Sequence, residues 1–175
     1  MIQNDDHNVF TYALVVSPNG TVSVVHMQGY RMMHVRTFEI GSGWGIDELV
    51  YSAQGINTYV GDMCLETNSR GDSILAWTEQ YEGYDSLRAM LQIDGVWGEP
   101  QVIEGCSNEL SEMNVALNDR GNAMAVWNVR TGDFSLEVRA SNCSAGEWSS
   151  PEKISAGDDC SGTPGWVLTM RVTPW

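Results

Sequence analysis

Three histidines, His7, His26 and His34, all fall within the first fifty residues of a 175-residue chain that carries 23 acidic and 9 basic side chains. A nucleophile–base site or a His-rich metal centre therefore has little material, and no metal-ligating set is assigned from sequence. His26 and His34 could meet across a hairpin only in the register that pairs them, which a one-residue slip would abolish. Carboxylates are plentiful, and a pair of them is what glycoside hydrolysis needs. Sequence alone selects no pair from 23. The ion best suited to so acidic a chain is calcium, which takes hard oxygen ligands. Its candidate clusters are Asn4-Asp5-Asp6 and Asp158-Asp159. Neither has EF-hand spacing, so both read as solvated loops and no cofactor is expected. Arg70-Gly71-Asp72 spells a cell-adhesion tripeptide, but Gly71 has a turn role described below. Asn19-Gly20-Thr21 and Asn142-Cys143-Ser144 are glycosylation sequons by pattern only.

The elements that must position such groups belong to one domain. The formal charge is −14, only one basic residue is a lysine, and 42% apolar with 9% aromatic residues is a folded composition. So negative a field repels phosphate backbones and anionic lipid, which argues against nucleic-acid and membrane partners. No stretch approaches the roughly 18 apolar residues of a membrane span. The opening MIQNDDHNVF lacks a cationic segment followed by an apolar one, so no export signal is expected in it. Cys64, Cys106, Cys143 and Cys160 contain no CxxC pair, which disfavours zinc and leaves disulfides open.

Internal repetition is the main signal. TNSRGDSILAW overlays NDRGNAMAVW, placing Gly71 on Gly121 and Trp77 on Trp127, and SPNGTVSVVH adds Gly20 and His26 at offsets of 51 and 50. Trp44, Trp97 and Trp148 recur at offsets of 53 and 51, and Arg36, Arg88 and Arg139 at 52 and 51. Each copy reads as four short strands: in the second, MCLETN, DSILAWTE, SLRAMLQI and VWGEPQVI, bounded by Gly, Asn and Asp. Gly20, Gly71 and Gly121 fall where a tight hairpin needs positive φ. A generic β-sandwich would not return turn, Trp and Arg landmarks together at one period.

Four antiparallel strands at a period of about 50 residues is the form of a β-propeller blade. The pattern N-x-x-G-x-x-x-x-W, an Arg strand and a G-x-W hairpin resembles the degenerate propeller repeats of exported bacterial proteins, loosely sialidase-like, from about Thr11 to Trp175. Kelch, WD40 and Asp-box signatures are missing. The resemblance implies an all-β propeller and slightly favours an exported or extracellular setting. The expected copies are 11–52, 62–104 and 113–155, with a fourth innermost strand at 166–174, all in one repeat domain. Three blades and a strand cannot close a ring, so either another copy supplies the missing blades or the chain is a fragment; completion by a homodimer is the expectation.

Alternate turns of a blade lie at opposite ends, so second-to-third-strand turns share an end with the crossovers between blades. The crossovers are expected at Ala53 to Gly61, Gly105 to Glu112 and Ala156 to Gly165. At this end the turns bring Tyr30 and Arg31, then Tyr81, Glu82, Tyr84 and Asp85, then Arg130 and Asp133, a mixture suited to sugar or peptide. Cys64, Cys106 and Cys160 fall at the crossover end and Cys143 at the other. Cys64–Cys106 is thus the better disulfide, with unpaired buried thiols as the alternative. His26, in the place of Trp77 and Trp127, reads as core-facing. The recurring arginines lie on third strands, far from the axis, and are expected to pack on aromatics or pair with carboxylates. The main functional expectation is a non-catalytic module binding carbohydrate, peptide or protein at the crossover face. The alternative is a sialidase-like, glycan-processing hydrolase with its site across a subunit interface.

Overall fold

A computed structural model of the chain describes residues 9–55, 57–106, 109–132 and 135–155. Within them every regular element is a strand, and the strands form three antiparallel sheets. The first holds β1 (Val9–Val16), β2 (Val22–Gln28), β3 (Met32–Glu39), β4 (Gly43–Trp44) and β5 (Glu48–Ser52). The second holds β6 (Thr58–Thr67), β7 (Ser73–Tyr81), β8 (Tyr84–Ile93), β9 (Val96–Trp97) and β10 (Gln101–Cys106). The third holds β11 (Leu110–Leu117), β12 (Ala123–Arg130), β13 (Leu136–Ser144), β14 (Glu147–Trp148) and β15 (Glu152–Lys153). In each, three long strands follow in sequence and the third pairs with two short ones, so the fourth position is split.

The split has a local cause. Between β9 and β10 lies Gly98-Glu99-Pro100, and proline has no N–H to give a ladder. Gly98 N–H instead donates to Leu91 O at 2.8 Å, as Gly45 does to Thr37 O and Ser149 to Asn142 O, both at 2.8 Å. VWGEPQVI is therefore two strands joined by a corner, where sequence suggested one.

The first hairpin of each sheet is built as expected. Gly20, Gly71 and Gly121 have φ of 86°, 89° and 77°. In the second sheet Asn68 Oδ1 accepts the N–H groups of Arg70 and Asp72 at 2.9 and 3.0 Å, and in the third Asn118 Oδ1 accepts those of Arg120 and Asn122 at 2.9 and 3.0 Å. These turns also join neighbouring sheets. Asn68 Nδ2 donates to Asn118 O at 3.1 Å and Ser69 N–H to Asp119 Oδ1 at 2.8 Å. Asp72 is buried and accepts from Arg70 Nη2 at 2.7 Å, so the Arg-Gly-Asp tripeptide is a turn clamp.

The sheets pack face to face with β1, β6 and β11 side by side. Met33 and Tyr51, paired across β3 and β5, turn to the second sheet, where Tyr51 lies 4.6 Å from the Trp77 ring. Trp77, Leu75 and Trp127 are wholly buried in these seams. The result is a propeller-like stack of three sheets in an incomplete ring. The expected strand at 166–174 lies outside the described residues.

Three details correct the sequence reading. The connections are short, 53–57 and 107–109, because β6 and β11 begin earlier than expected. Cys64 has no disulfide: it sits on the innermost strand and Cys106 on the outermost, three strand spacings of about 4.8 Å apart, beyond the roughly 6 Å a disulfide spans. Finally, Arg88 lies opposite Trp77 and Arg139 opposite Trp127, but Arg36 faces Val24 and the residue opposite His26 is His34. Hairpins of unequal length put Arg36 out of step with Arg88 and Arg139.

Candidate active site at the bulged innermost strands

Each innermost strand slips register near its start, between Val9 and Tyr12, Val60 and Met63, and Ser111 and Asn114. A β-bulge inserts a residue, bends the strand and re-aims a side chain. In the second and third sheets the bulge carries an acid, Asp62 and Glu112, and both are exposed. The residue after the buried Trp holds each bulge. Thr78 Oγ1 accepts the Asp62 N–H at 3.1 Å, and Asn128 Nδ2 donates to Glu112 Oε2 at 2.8 Å. Glycine precedes Asp62 for a steric reason: a Cβ at Gly61 would lie 2.5 Å from Thr78 Oγ1. Glu112 itself has φ of 50°. Two carboxylates are thus presented from neighbouring innermost strands at the same level. Sequence missed them because a bulge is a property of pairing.

The turn residues expected to bind ligand lie at this end. Tyr30 O accepts Val60 N–H at 2.8 Å, and Arg31 Nη2 donates to Ala53 O at 3.0 Å and to Gly55 O, fastening turn to crossover. Tyr81 and Tyr84, on either side of the Glu82-Gly83 turn, are 48% and 63% exposed. Asp85 accepts Gln80 Nε2 at 3.0 Å and Leu110 N–H at 3.1 Å, and Arg130 Nε donates to Glu109 at 2.7 Å. Arg31, Asp85 and Arg130 therefore have structural partners already. Asp133 lies outside the described residues.

Other charged groups are committed within and between sheets. Arg88 pairs with buried Glu79 at 3.0 Å, and Glu79 accepts the Tyr51 hydroxyl. Burial, with Glu79 beside it, pushes the Tyr51 phenol far up. Glu104 accepts Trp127 Nε1–H at 2.6 Å and pairs with Arg139, whose Nε also donates to Glu137 at 2.8 Å. Arg88 and Arg139 thus have the structural role expected of them, while Arg36 donates to Gly45 O at 2.9 Å.

The first sheet departs from this pattern. Its register pairs His26 with His34, their rings stack at 5.4 Å, and Asp47 approaches both. These three could hold a metal ion, where sequence assigned no ligands. Asp47 carried no signal at all, since it lies in the corner between β4 and β5. The calcium clusters Asn4-Asp5-Asp6 and Asp158-Asp159 lie outside the described residues. A shallow cavity of about 400 Å³ lined by Ala116, Met124, Asn142 and Cys143 sits on the third sheet toward the opposite end and brings no acid or base together.

No family model matches the sequence, and no curated protein does. Solved structures do match. The chain is similar to an α-L-arabinanase of Penicillium chrysogenum solved with arabinobiose, at 10% identity and a TM-score of 0.63, covering 87% of this chain and 52% of that one. It is also similar to the GH93 α-L-arabinofuranosidase of Fusarium graminearum, at 9% identity and a TM-score of 0.62, covering 86% and 50%. Both neighbours are β-propellers. The chain spans about half of each, and at such identities the likeness carries the fold alone. The expectation of a non-catalytic binding or assembly module is nonetheless corrected, because the scaffold matched belongs to glycoside hydrolases and favours the glycan-processing alternative.

Proposed function

We propose that this chain is part of a propeller hydrolase acting on glycans, with Asp62 and Glu112 as its paired carboxylates. The observation that carries this is the bulge repeated at one level of the innermost strands, bearing an exposed acid in two of three sheets. In such a reaction one carboxyl protonates the glycosidic oxygen, while the other attacks the anomeric carbon or activates a water. Glu112, oriented by Asn128, suits the second role, and Asp62 the first. A separation of about 5–5.5 Å predicts retention of configuration, and about 6.5–9.5 Å inversion. Tyr30, Arg31, Tyr81, Glu82, Tyr84, Asp85, Arg130 and Asp133 would form the rim. Tyr81 and Tyr84 would stack on sugar rings, and the polar groups would meet hydroxyls. On this reading the chain is one repeat domain whose copies are 11–52, 62–104 and 113–155, loosely sialidase-like in pattern, and a second copy supplies the missing sheets. The test is a panel of chromogenic glycosides that includes arabinofuranosides. Asp62→Asn and Glu112→Gln should each lower kcat by about 10²–10⁴-fold with the melting temperature held. Turnover unchanged in both variants, or no turnover of any glycoside by the assembled protein, refutes the reading.

A further inference from the structure

We propose that His26, His34 and Asp47 form a transition-metal site, of zinc type, on the face of the first sheet turned away from the second. It is independent of the hydrolase reading.

The site is made by register. β2 and β3 pair His26 with His34, so both imidazoles stand on one face, and the corner between β4 and β5 lays Asp47 over them. One ligand atom from each residue falls within 4.8 Å of the others. His34 Nδ1 is 3.2 Å from Asp47 Oδ2 and His26 Nε2 is 3.7 Å from Asp47 Oδ1. For zinc bound at about 2.0–2.1 Å, neighbouring ligand atoms of a tetrahedron are about 3.4 Å apart. The distances to the two carboxylate oxygens bracket that value, and 4.8 Å bounds the third edge, between the imidazoles.

A second observation concerns satisfaction. His26 is 4% exposed, and the His34 nitrogen that faces the cluster, Nδ1, makes no aligned hydrogen bond although Asp47 Oδ2 lies 3.2 Å away. Buried polar groups are normally paired, so this nitrogen is open to a ligand. In the other sheets the same two places hold Trp77 with Arg88 and Trp127 with Arg139, whose arginines are neutralised by Glu79, Glu104 and Glu137. Here a second imidazole replaces the arginine, and Arg36, two residues along β3 on the same face, is a cation that His26 feels. Two imidazoles with one carboxylate suit zinc over calcium or magnesium, which prefer all-oxygen shells. Three protein ligands leave a fourth tetrahedral position for water or a group from whatever sheet meets this face.

The test is isothermal titration of the full chain with zinc chloride. One site per chain with micromolar or tighter affinity is expected, with no comparable binding of calcium or magnesium chloride. His34→Gln and Asp47→Asn should each weaken zinc by about 100-fold or more while circular dichroism stays native. Should the variants misfold, cobalt chloride added to the unaltered protein decides, since a tetrahedral site gives intense visible absorption. Zinc affinity no tighter than millimolar, unaltered affinity in folded variants, or the weak spectrum of octahedral cobalt overturns the assignment.

Discussion

Glu104 is 9% exposed, yet it accepts an indole N–H and an arginine at once. Its removal would strand both donors. Glu104→Ala should therefore destabilise by about 2–4 kcal/mol, toward the lower end because Arg139 can rehydrate, read by chemical denaturation. Glu104→Gln, which keeps the indole bond, should lose less. Two other carboxyls set the acid limit. The Asn68 amide and Arg70 hold Asp72 below its ordinary 3.8, and Arg139 holds Glu137 below 4.5. Depressed folded-state values mean that the unfolded chain takes up protons first. Their contribution is complete at neutral pH and fades as pH falls through about 4 and below; a flat melting temperature from pH 6 to 3 would contradict this. Burial raises the Cys64 and Cys143 thiols, so both should react slowly with iodoacetamide until the chain unfolds. At this scale the sequence displayed the turn glycines and the core tryptophans, whose chemistry is local. It hid Asp47, Asp62 and Glu112, whose placement comes from pairing and corners.

Between elements, the recurring device is a transfer from one sheet's outermost strand to the next sheet's interior. Tyr51 on β5 packs on Trp77 and bonds Glu79, while Glu104 on β10 bonds Trp127 and Arg139. Two different side chains perform one task. This explains why β5 and β10 carried no visible repeat signal, while the other half of the split position carried Trp44, Trp97 and Trp148. Third strands misled for another reason: Arg36, Arg88 and Arg139 recur at nearly constant spacing, but the hairpins before them differ in length, and only the register exposes His34 as the counterpart. The first hairpins have no such variation. Gly121→Ala, with φ of 77° and open space around the Cβ, should cost about 1 kcal/mol through backbone strain alone. Gly61→Ala should be worse, because its Cβ meets Thr78, and it should displace Asp62 as well; comparing activity with stability in the two variants separates turn strain from site distortion.

On the scale of the molecule, the first sheet leaves Tyr12, Leu14, Val16 and Leu49 between 52% and 68% exposed, on the face that also carries His26 and His34. A face of that kind is ordinarily covered. If a second copy covers it, chains of charge −14 must meet against their own repulsion, so sedimentation should show a dimer whose affinity rises from low salt to about 0.1 M, where screening acts within about 10 Å. Leu14→Glu should shift the protein to monomer, whereas a wild-type monomer at micromolar concentration excludes ring closure by self-association. The order of assembly was legible from the 50-residue period; which surface stays open was not, because it depends on the side to which each strand turns.

The transfer between sheets also gives the stack a direction. Each unit has a sending edge and a receiving face, and these are not interchangeable. An array of this kind can lengthen only by copying a unit whole, from crossover to crossover. A duplicate of 57–106 placed after Cys106 would bring a second Trp77 and Arg88 to Glu104, a match already met by Trp127 and Arg139 in the third sheet. A duplicate cut between β8 and β10 would separate sender from receiver and strand buried charge at two new joints. The chain thus carries in its seams a rule for its own growth by gene duplication, and the turn bonds from Asn68 and Ser69 to the third sheet run in the same order.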